Sequence, residues 1–247
     1  MDNLGKLKFK NVILTTNGYD LESYLTSVAP AVHSLVFSID TLDHEKADQW
    51  YGMGQGAFQN ILYNAEQAAN LEKRKYEIII SSVITPDNIN DLYNVYEYSK
   101  DRGFIFAACP QLVGVRAHHS LTGNPDYHKF LDFLISEKKK GNKINGTVLY
   151  LEYMRDLKKF SCHPFTMLLV SPVGQVFYPC LEIGNLTGNL FDNDSLHNLR
   201  QKGCKQFGPQ PECGNQCHSA CALGFSLILN YPLSILHETF LVFKSLI

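Results

Sequence analysis

Six of the seven cysteines in this 247-residue chain crowd into one stretch: Cys162, Cys180, Cys204, Cys213, Cys217 and Cys221. Thiols at that density read as metal ligands, because four thiolates can hold either zinc or an iron–sulfur cluster. Cys213, Cys217 and Cys221 follow one another at intervals of four, a spacing that on a helix lines thiols along one face. Cys162 and Cys180 flank a hairpin signal, with arms Phe165-Thr-Met-Leu-Leu-Val170 and Val176-Phe-Tyr178 around the turn Ser171-Pro-Val-Gly-Gln175. Closing that hairpin would bring their sulfurs together. No Cys-x2-Cys knuckle of the zinc-ribbon kind is present, which favours a cluster over zinc. The bland alternative is a set of scattered buried thiols, and their density argues against it. Cys109 stands alone in a buried run and reads as a small inert hydrophobe.

A second set of groups needs strands to position it. Asn11-Val-Ile-Leu-Thr15, Ser34-Leu-Val-Phe-Ser38, Glu77-Ile-Ile-Ile-Ser-Ser-Val-Ile84 and Phe104-Ile-Phe-Ala-Ala108 read as strands, the third as one buried on both sides. Between them lie helical periods: Leu21, Tyr24, Leu25 and Val28; Phe58, Ile61, Leu62, Ala65, Ala68 and Ala69; and Ile89, Leu92, Val95 and Tyr96, in a helix opened by Pro86 and Asp87. No hairpin signal separates the strands, so the series β-α-β-α-β-α-β predicts a parallel sheet with right-handed crossovers. Further helices are expected over residues 125–140 and 148–159. The fold class expected is α/β, a partial (β/α) barrel with parallel strands, followed by a small Cys-rich α+β domain with a β-hairpin. Its boundaries are 1–145 for the barrel, 146–224 for the Cys-rich domain and 225–247 for an apolar C-terminal helical extension.

Every strand of a parallel sheet delivers its C-terminal end to one rim, where ligands bind. Those ends carry Thr16 and Asn17, Ser38 and Asp40, Thr85 and Asn88, and, after Cys109, Gln111. Such neutral hydrogen-bonding groups with one carboxylate suit a polar organic ligand, and no Gly-rich phosphate cradle is present. Asn17-Gly18 also reads as a plain turn and Asp40 as a cap. His33, His118 and His119 read as loop or surface residues. No Ser-His-Asp or Cys-His spacing points to hydrolysis.

With 45% apolar residues and a net charge of −2, the chain can bury a core and carries no basic excess for nucleic acid. The first ten residues hold no apolar signal-peptide core, so a cytoplasmic, disulfide-free protein is expected. Leu233, Leu236, Phe240, Phe243 and Ile247 recur at spacings of 3 and 4. That stripe packs on the protein or, alternatively, touches a membrane surface; charges and Pro232 argue against a span.

Taken in order, Asn11-Val-Ile-Leu-Thr-Thr-Asn-Gly18, Phe37-Ser-Ile-Asp40, Gly56-Ala-Phe58 and Val83-Ile-Thr-Pro-Asp-Asn-Ile89 resemble the middle of a radical S-adenosylmethionine (SAM) barrel. The stretch from Cys162 to Cys180, with Cys180-Leu-Glu-Ile-Gly-Asn-Leu-Thr-Gly-Asn189 and the later cysteines, resembles a SPASM/twitch auxiliary-cluster domain. The resemblance implies reductive cleavage of SAM to a 5′-deoxyadenosyl radical acting on a small-molecule or peptide substrate, fed by an external electron donor. It implies that Ser38 and Asp40 contact the SAM ribose or amino acid portion and that Thr16 and Asn17 line the same pocket. Thr85, Asn88 and Gln111 would then lie nearer the adenosyl end or the substrate. The family's Cys-x3-Cys-x2-Cys and Gly-Gly-Glu motifs are not found in this sequence, so no catalytic residue is assigned and a fragment entering the barrel at its third strand is expected. The full SPASM spacing is also missing. One auxiliary [4Fe–4S] cluster of the twitch type is therefore expected, on Cys162, Cys180 and two of the later four cysteines. The rival expectation is a catalytically inactive zinc- or cluster-binding module.

Overall fold

The computed structural model describes residues 9–72, 74–192, 195–209 and 216–233. They form two units: one from the chain up to Cys109 with Pro125–Asn145, the other from Pro110–Asn124 with the chain from Gly146.

The first unit is built on β1 (Ile13–Thr16), α1 (Leu25–Val28), β2 (Ser34–Ser38), α2 (His44–Tyr51), α3 (Ala57–Asn70), β3 (Glu77–Ile84), α4 (Asp91–Asp101), β4 (Ile105–Pro110) and α5 (Pro125–Lys139). Its strands form one parallel sheet in the order β1-β2-β3-β4, with Thr16 beside Phe37 and Ser38 beside Ser81. Strict chain order with right-handed crossovers puts every helix on the same side of the sheet, as in a barrel wall. Burial follows that geometry. Leu35, Phe37, Ile78, Ile80 and Ile84 are fully buried, as are Phe58, Ile61, Ala65 and Ala68 on α3 and Leu92 and Val95 on α4. The expectation that β3 is buried on both faces is corrected: Ile79 and Ser81 are only half-buried and Val83 is exposed. Helices that cover one face leave the other to whatever fills the barrel.

Three further expectations change. The first helical period breaks into a 3-10 turn (Leu21–Ser23) and the short α1, with Leu21, Leu25 and Val28 buried but Tyr24 exposed. Helix α2, which apolar periodicity did not reveal, starts because the Asp43 carboxylate accepts from Lys46 N–H at 3.1 Å, a polar cap rather than an apolar stripe. Helix α4 begins at Asp91, not at Pro86, because Asn88 holds the intervening residues in turns.

The second unit holds β5 (Leu112–Val113) and β6 (Arg116–Ala117), an unanticipated two-stranded pair, then α6 (Val148–Arg155), β7 (Gln175–Tyr178), β8 (Asn185–Asn189), α7 (Leu196–Phe207) and α8 (Ala220–Asn230). The expected 165–170/176–178 hairpin is corrected. β7 pairs chiefly with β8, while residues 164–166 form a 3-10 turn and Val170 makes only an isolated bridge to Val176. Gly203 lets α7 lie against β7, since a Cβ there would run into the Tyr178 ring. Of the C-terminal stripe, Leu233 is exposed; Leu236, Phe240, Phe243 and Ile247 lie outside the described residues. No helix among the described residues is long and apolar enough to cross a membrane.

At the end of the first unit away from the rim sits a buried carboxylate. Glu137 is 5% exposed and accepts from Lys140 at 2.5 Å, Tyr96 at 2.8 Å and Asn142 at 2.7 Å. Lys140 and Tyr96 hold its carboxyl down at about 2. A carboxyl lowered on folding contributes stability above its unfolded value near 4.5 and loses it as pH falls toward 2. Urea midpoints measured between pH 5 and pH 2 should therefore fall for the wild type and fall less for Glu137→Gln. Parallel acid limbs would contradict this account.

Candidate functional site

The C-terminal ends of β1, β2 and β3 lie side by side, because their parallel registers fix them there. After β1 the chain turns sharply. The Thr16 Oγ1 accepts from Gly18 N–H at 2.9 Å and the Asn17 Oδ1 from Tyr19 N–H at 3.2 Å. Gly18 has φ +84°, and a Cβ on it would come within 2.8 Å of the Phe37 ring, so only glycine fits. Asn64, on the buried face of α3, donates to the Gly18 and Tyr19 carbonyls at 2.7 and 2.8 Å.

After β2, the Asp40 carboxylate accepts from Val83 N–H at 2.7 Å. Burial raises its pKa, and the Val83 bond only partly offsets that. The Tyr51 hydroxyl donates to the Ser38 carbonyl at 2.5 Å; burial, with Asp40 nearby, raises the pKa of that phenol. Between α2 and α3, the Asp48 carboxylate accepts from Gly56 and Phe58 N–H at 2.6 and 2.7 Å. Those two bonds lower its pKa and fix the loop bordering the rim. The Asn17 amide reaches Met53 Sδ on that loop at 3.9 Å.

After β3, Thr85 presents a buried Oγ1 with no hydrogen-bond partner among the described residues. Asn88 is fully buried. It donates to the Asp40 and Val83 carbonyls at 3.0 and 2.8 Å and accepts from Thr85 N–H at 2.8 Å. Thr16, Asn17, Ser38, Asp40, Thr85 and Asn88 thus share one rim. Gln111 belongs to the second unit, where its carbonyl accepts from His118 N–H at 2.8 Å.

In the second unit, the expected helical row of thiols is corrected at Cys217. Ser219 caps α8, accepting from Ala222 N–H at 3.4 Å, so Cys217 precedes the helix and Cys221 lies in its first turn. The Ser219 N–H donates to the Cys217 Sγ at 3.4 Å, and its hydroxyl donates to Glu182. The Cys180 thiol is pushed up to about 11, mainly by burial; Glu182 adds to the rise, and bonds from the Ile183 and Glu182 N–H groups oppose it. Burial and Glu182 likewise raise the Cys221 thiol. Cys204 adds to the burial that raises the Tyr178 phenol. Cys162 is half-buried, and Cys213 lies outside the described residues. Among the described residues, no three His, Cys, Asp or Glu side chains are gathered closely enough to hold a metal ion.

Solved structures share this architecture. The fold is one also seen in proteins solved with AdoMet bound. The chain is similar to histidine-tagged anSMEcpe with bound AdoMet (21% identity, 93% of this chain and 73% of that one, TM-score 0.55). It is also similar to Streptococcus suis SuiB bound to S-adenosylmethionine (15%, 79% and 48%, TM-score 0.58). SuiB bound to its precursor peptide SuiA matches as well (14%, 76% and 47%, TM-score 0.51). The chain spans about half the length of SuiB. No family model and no curated protein matches it.

Reasoning from sequence missed four residues that organise these features: Asp48, Tyr51, Asn64 and His218. Asn64 carried a signal, a polar residue on the buried face of an otherwise apolar helix. His218 carried none. Its Nδ1 accepts from Ala117 N–H at 2.9 Å and its backbone N–H donates to the Val115 carbonyl at 2.8 Å. Its pKa is lowered chiefly by burial, against a bond to the Leu157 backbone. His218 thereby ties the Cys217 segment to the β5–β6 pair.

Two substitutions test these clamps. Asn88→Ala strands three part-buried backbone groups and should cost about 1–3 kcal/mol in chemical denaturation. His218→Ala should cost about 1–3 kcal/mol and speed hydrogen exchange at the Ala117 amide. A loss within measurement error at either site would remove its clamp role.

Proposed function

We propose that the chain is the SAM-binding part of a radical SAM enzyme acting on a peptide, with an auxiliary [4Fe–4S] cluster in its second unit. The observation that carries this reading is the shared rim: Thr16, Asn17, Ser38, Asp40 and Thr85 stand at neighbouring strand ends on a fold also seen in AdoMet-bound proteins. The peptide follows from the similarity to SuiB bound to SuiA.

The rim's donor set fits SAM. The buried, partnerless Thr85 hydroxyl suits a ribose or adenine polar atom, and the Asp40 carboxylate suits a hydroxyl or the ammonium group. Ser38 and Asp40 would hold the ribose or amino acid portion, while Thr16 and Asn17 would line the same pocket. Asn88 acts as a positioning residue, since its amide fixes the Asp40 and Val83 carbonyls. Bound SAM would supply a 5′-deoxyadenosyl radical only beside a reduced cluster, whose Cys-x3-Cys-x2-Cys ligands are not found in this sequence. The chain's own part is to orient the cofactor and exclude water.

The thiols of the second unit are of the right type for a cluster, and no three of them are gathered among the described residues. Backbone N–H groups aim at Cys180 and Cys217, and burial that penalises a bare thiolate is offset by a bound cation. Cys162, Cys180 and two of Cys204, Cys213, Cys217 and Cys221 would be the ligands.

Anaerobic reconstitution should load about four irons and four sulfides per chain and give a brown solution. Cys162→Ser and Cys180→Ser should lose the iron, and Cys109→Ser should keep it. One zinc per chain without iron would make the second unit a zinc-binding module instead. For the rim, Thr85→Val should leave folding intact yet weaken SAM binding by about tenfold in calorimetry. Unchanged affinity would remove Thr85 from the site.

A further inference from the structure

On the side of β7 away from β8, the chain around Val170 makes a short bridge to Val176. The Leu169 carbonyl accepts from Phe177 N–H at 3.0 Å, and Ser171 N–H donates to the Gln175 carbonyl at 2.8 Å. In an antiparallel ladder, backbone groups of successive residues point to opposite edges. The N–H and C=O of Leu168 and Val170 therefore face away from β7, and neither bonds to the backbone of another described residue.

This edge lacks the usual protection. Met-Leu-Leu-Val contains no charge and no proline, although natural edges are blunted by such residues because bare ones recruit strands. Leu168, Val170 and Val173 are 49%, 39% and 64% exposed. A cation lies near the start of this segment. The Arg200 guanidinium lies over the Phe165 ring at 4.1 Å, and α7, which carries Arg200, Lys202 and Lys205, has no acidic residue. A second copy of the chain would set this basic helix against itself. An acidic strand would not.

We propose that this edge docks an acidic, extended peptide segment, which adds as a strand through the outward backbone groups of Leu168 and Val170 and sets its carboxylates against Arg200 and α7. The inference rests on the peptide-enzyme reading and deepens it by naming where the peptide is held. Strand addition draws affinity from main-chain hydrogen bonds and specificity from alternate side chains.

The test uses the full chain and a fluorescein-labelled octapeptide of alternating aspartate and valine, followed by anisotropy at low salt. Binding is expected, and a lysine–valine probe should not bind. Val170→Pro removes an outward N–H that β7 does not use, so affinity should drop about tenfold with an unchanged circular dichroism spectrum. Arg200→Glu should weaken binding similarly. Should Val170→Pro fold poorly, the probe itself decides: methylating the aspartate amides or the valine amides should abolish binding in one register only. Equal binding by both methylated probes, or an acidic probe that does not bind, overturns the proposal. Concentration-dependent dimerisation that Val170→Pro abolishes would assign the edge to a second copy and overturn it too. If the wild type binds neither SAM nor iron, the enzyme reading fails on its own, and the anisotropy result stands apart from it.

Discussion

Parallel pairing in strict chain order governs the first unit. Because β2 pairs with β1 on one side and β3 on the other, every crossover must travel over the same face, and right-handedness decides which. One consequence is a core on a single side, made by Phe37, Phe58, Ile61, Ile80 and their neighbours. The other is chemical. The loops leaving β1, β2 and β3 emerge together, so residues distant in sequence, such as Asn17, Asp40 and Thr85, meet at one rim without any segment being dedicated to bringing them there.

That arrangement leaves backbone groups at the strand ends that no ladder satisfies, and two asparagines answer for them. Asn64 takes the Gly18 and Tyr19 carbonyls, while Asn88 takes those of Asp40 and Val83 and the N–H of Thr85. An unpaired buried carbonyl costs free energy comparable to a lost hydrogen bond, so these side chains make the rim's loops compatible with burial. With the backbone satisfied in this way, two buried side-chain polar atoms are left over among the described residues, the Asn64 Oδ1 and the Thr85 hydroxyl at the strand end. A surplus polar atom where the neighbouring backbone is already paired is a stronger pointer to a ligand than the polar character of the rim as a whole.

The sequence made some of this legible, and the reason differs by element. β3 and α3 were readable because their signals are local: an apolar run with β-branched residues, and a 3.6-residue apolar period after a glycine loop. α2 was not, since a capped polar helix with one buried residue, Ala47, has no stripe to detect. The start of α4 was misplaced because Asn88 diverts the chain through long-range bonds to Asp40, which lies 48 residues away. The strand ends placed Thr16, Ser38 and Thr85 together, as the parallel registers require, but Gln111, expected beside them, falls in the second unit. Asp48, Tyr51 and His218 were not legible, because their roles exist only through tertiary partners. The row of thiols at fours was persuasive as a helix face, yet the Ser219 cap places Cys217 outside it.

The two units also differ in what holds them. The first has a deep apolar core and satisfies its loop carbonyls with side-chain amides. The second has two-stranded sheets, which are marginal alone in water, and much of its apolar surface is exposed, including Phe191, Leu196, Phe225 and Leu229. It also holds two thiols, half-buried Cys180 and the more exposed Cys221, whose charged forms their surroundings disfavour, Glu182 among them. If its thiols hold the proposed cluster, that binding would add directly to the stability of the folded second unit. On the proposed cluster reading, the folding of the second unit and its cysteine chemistry would be one problem, whereas the first unit buries its core with its own side chains.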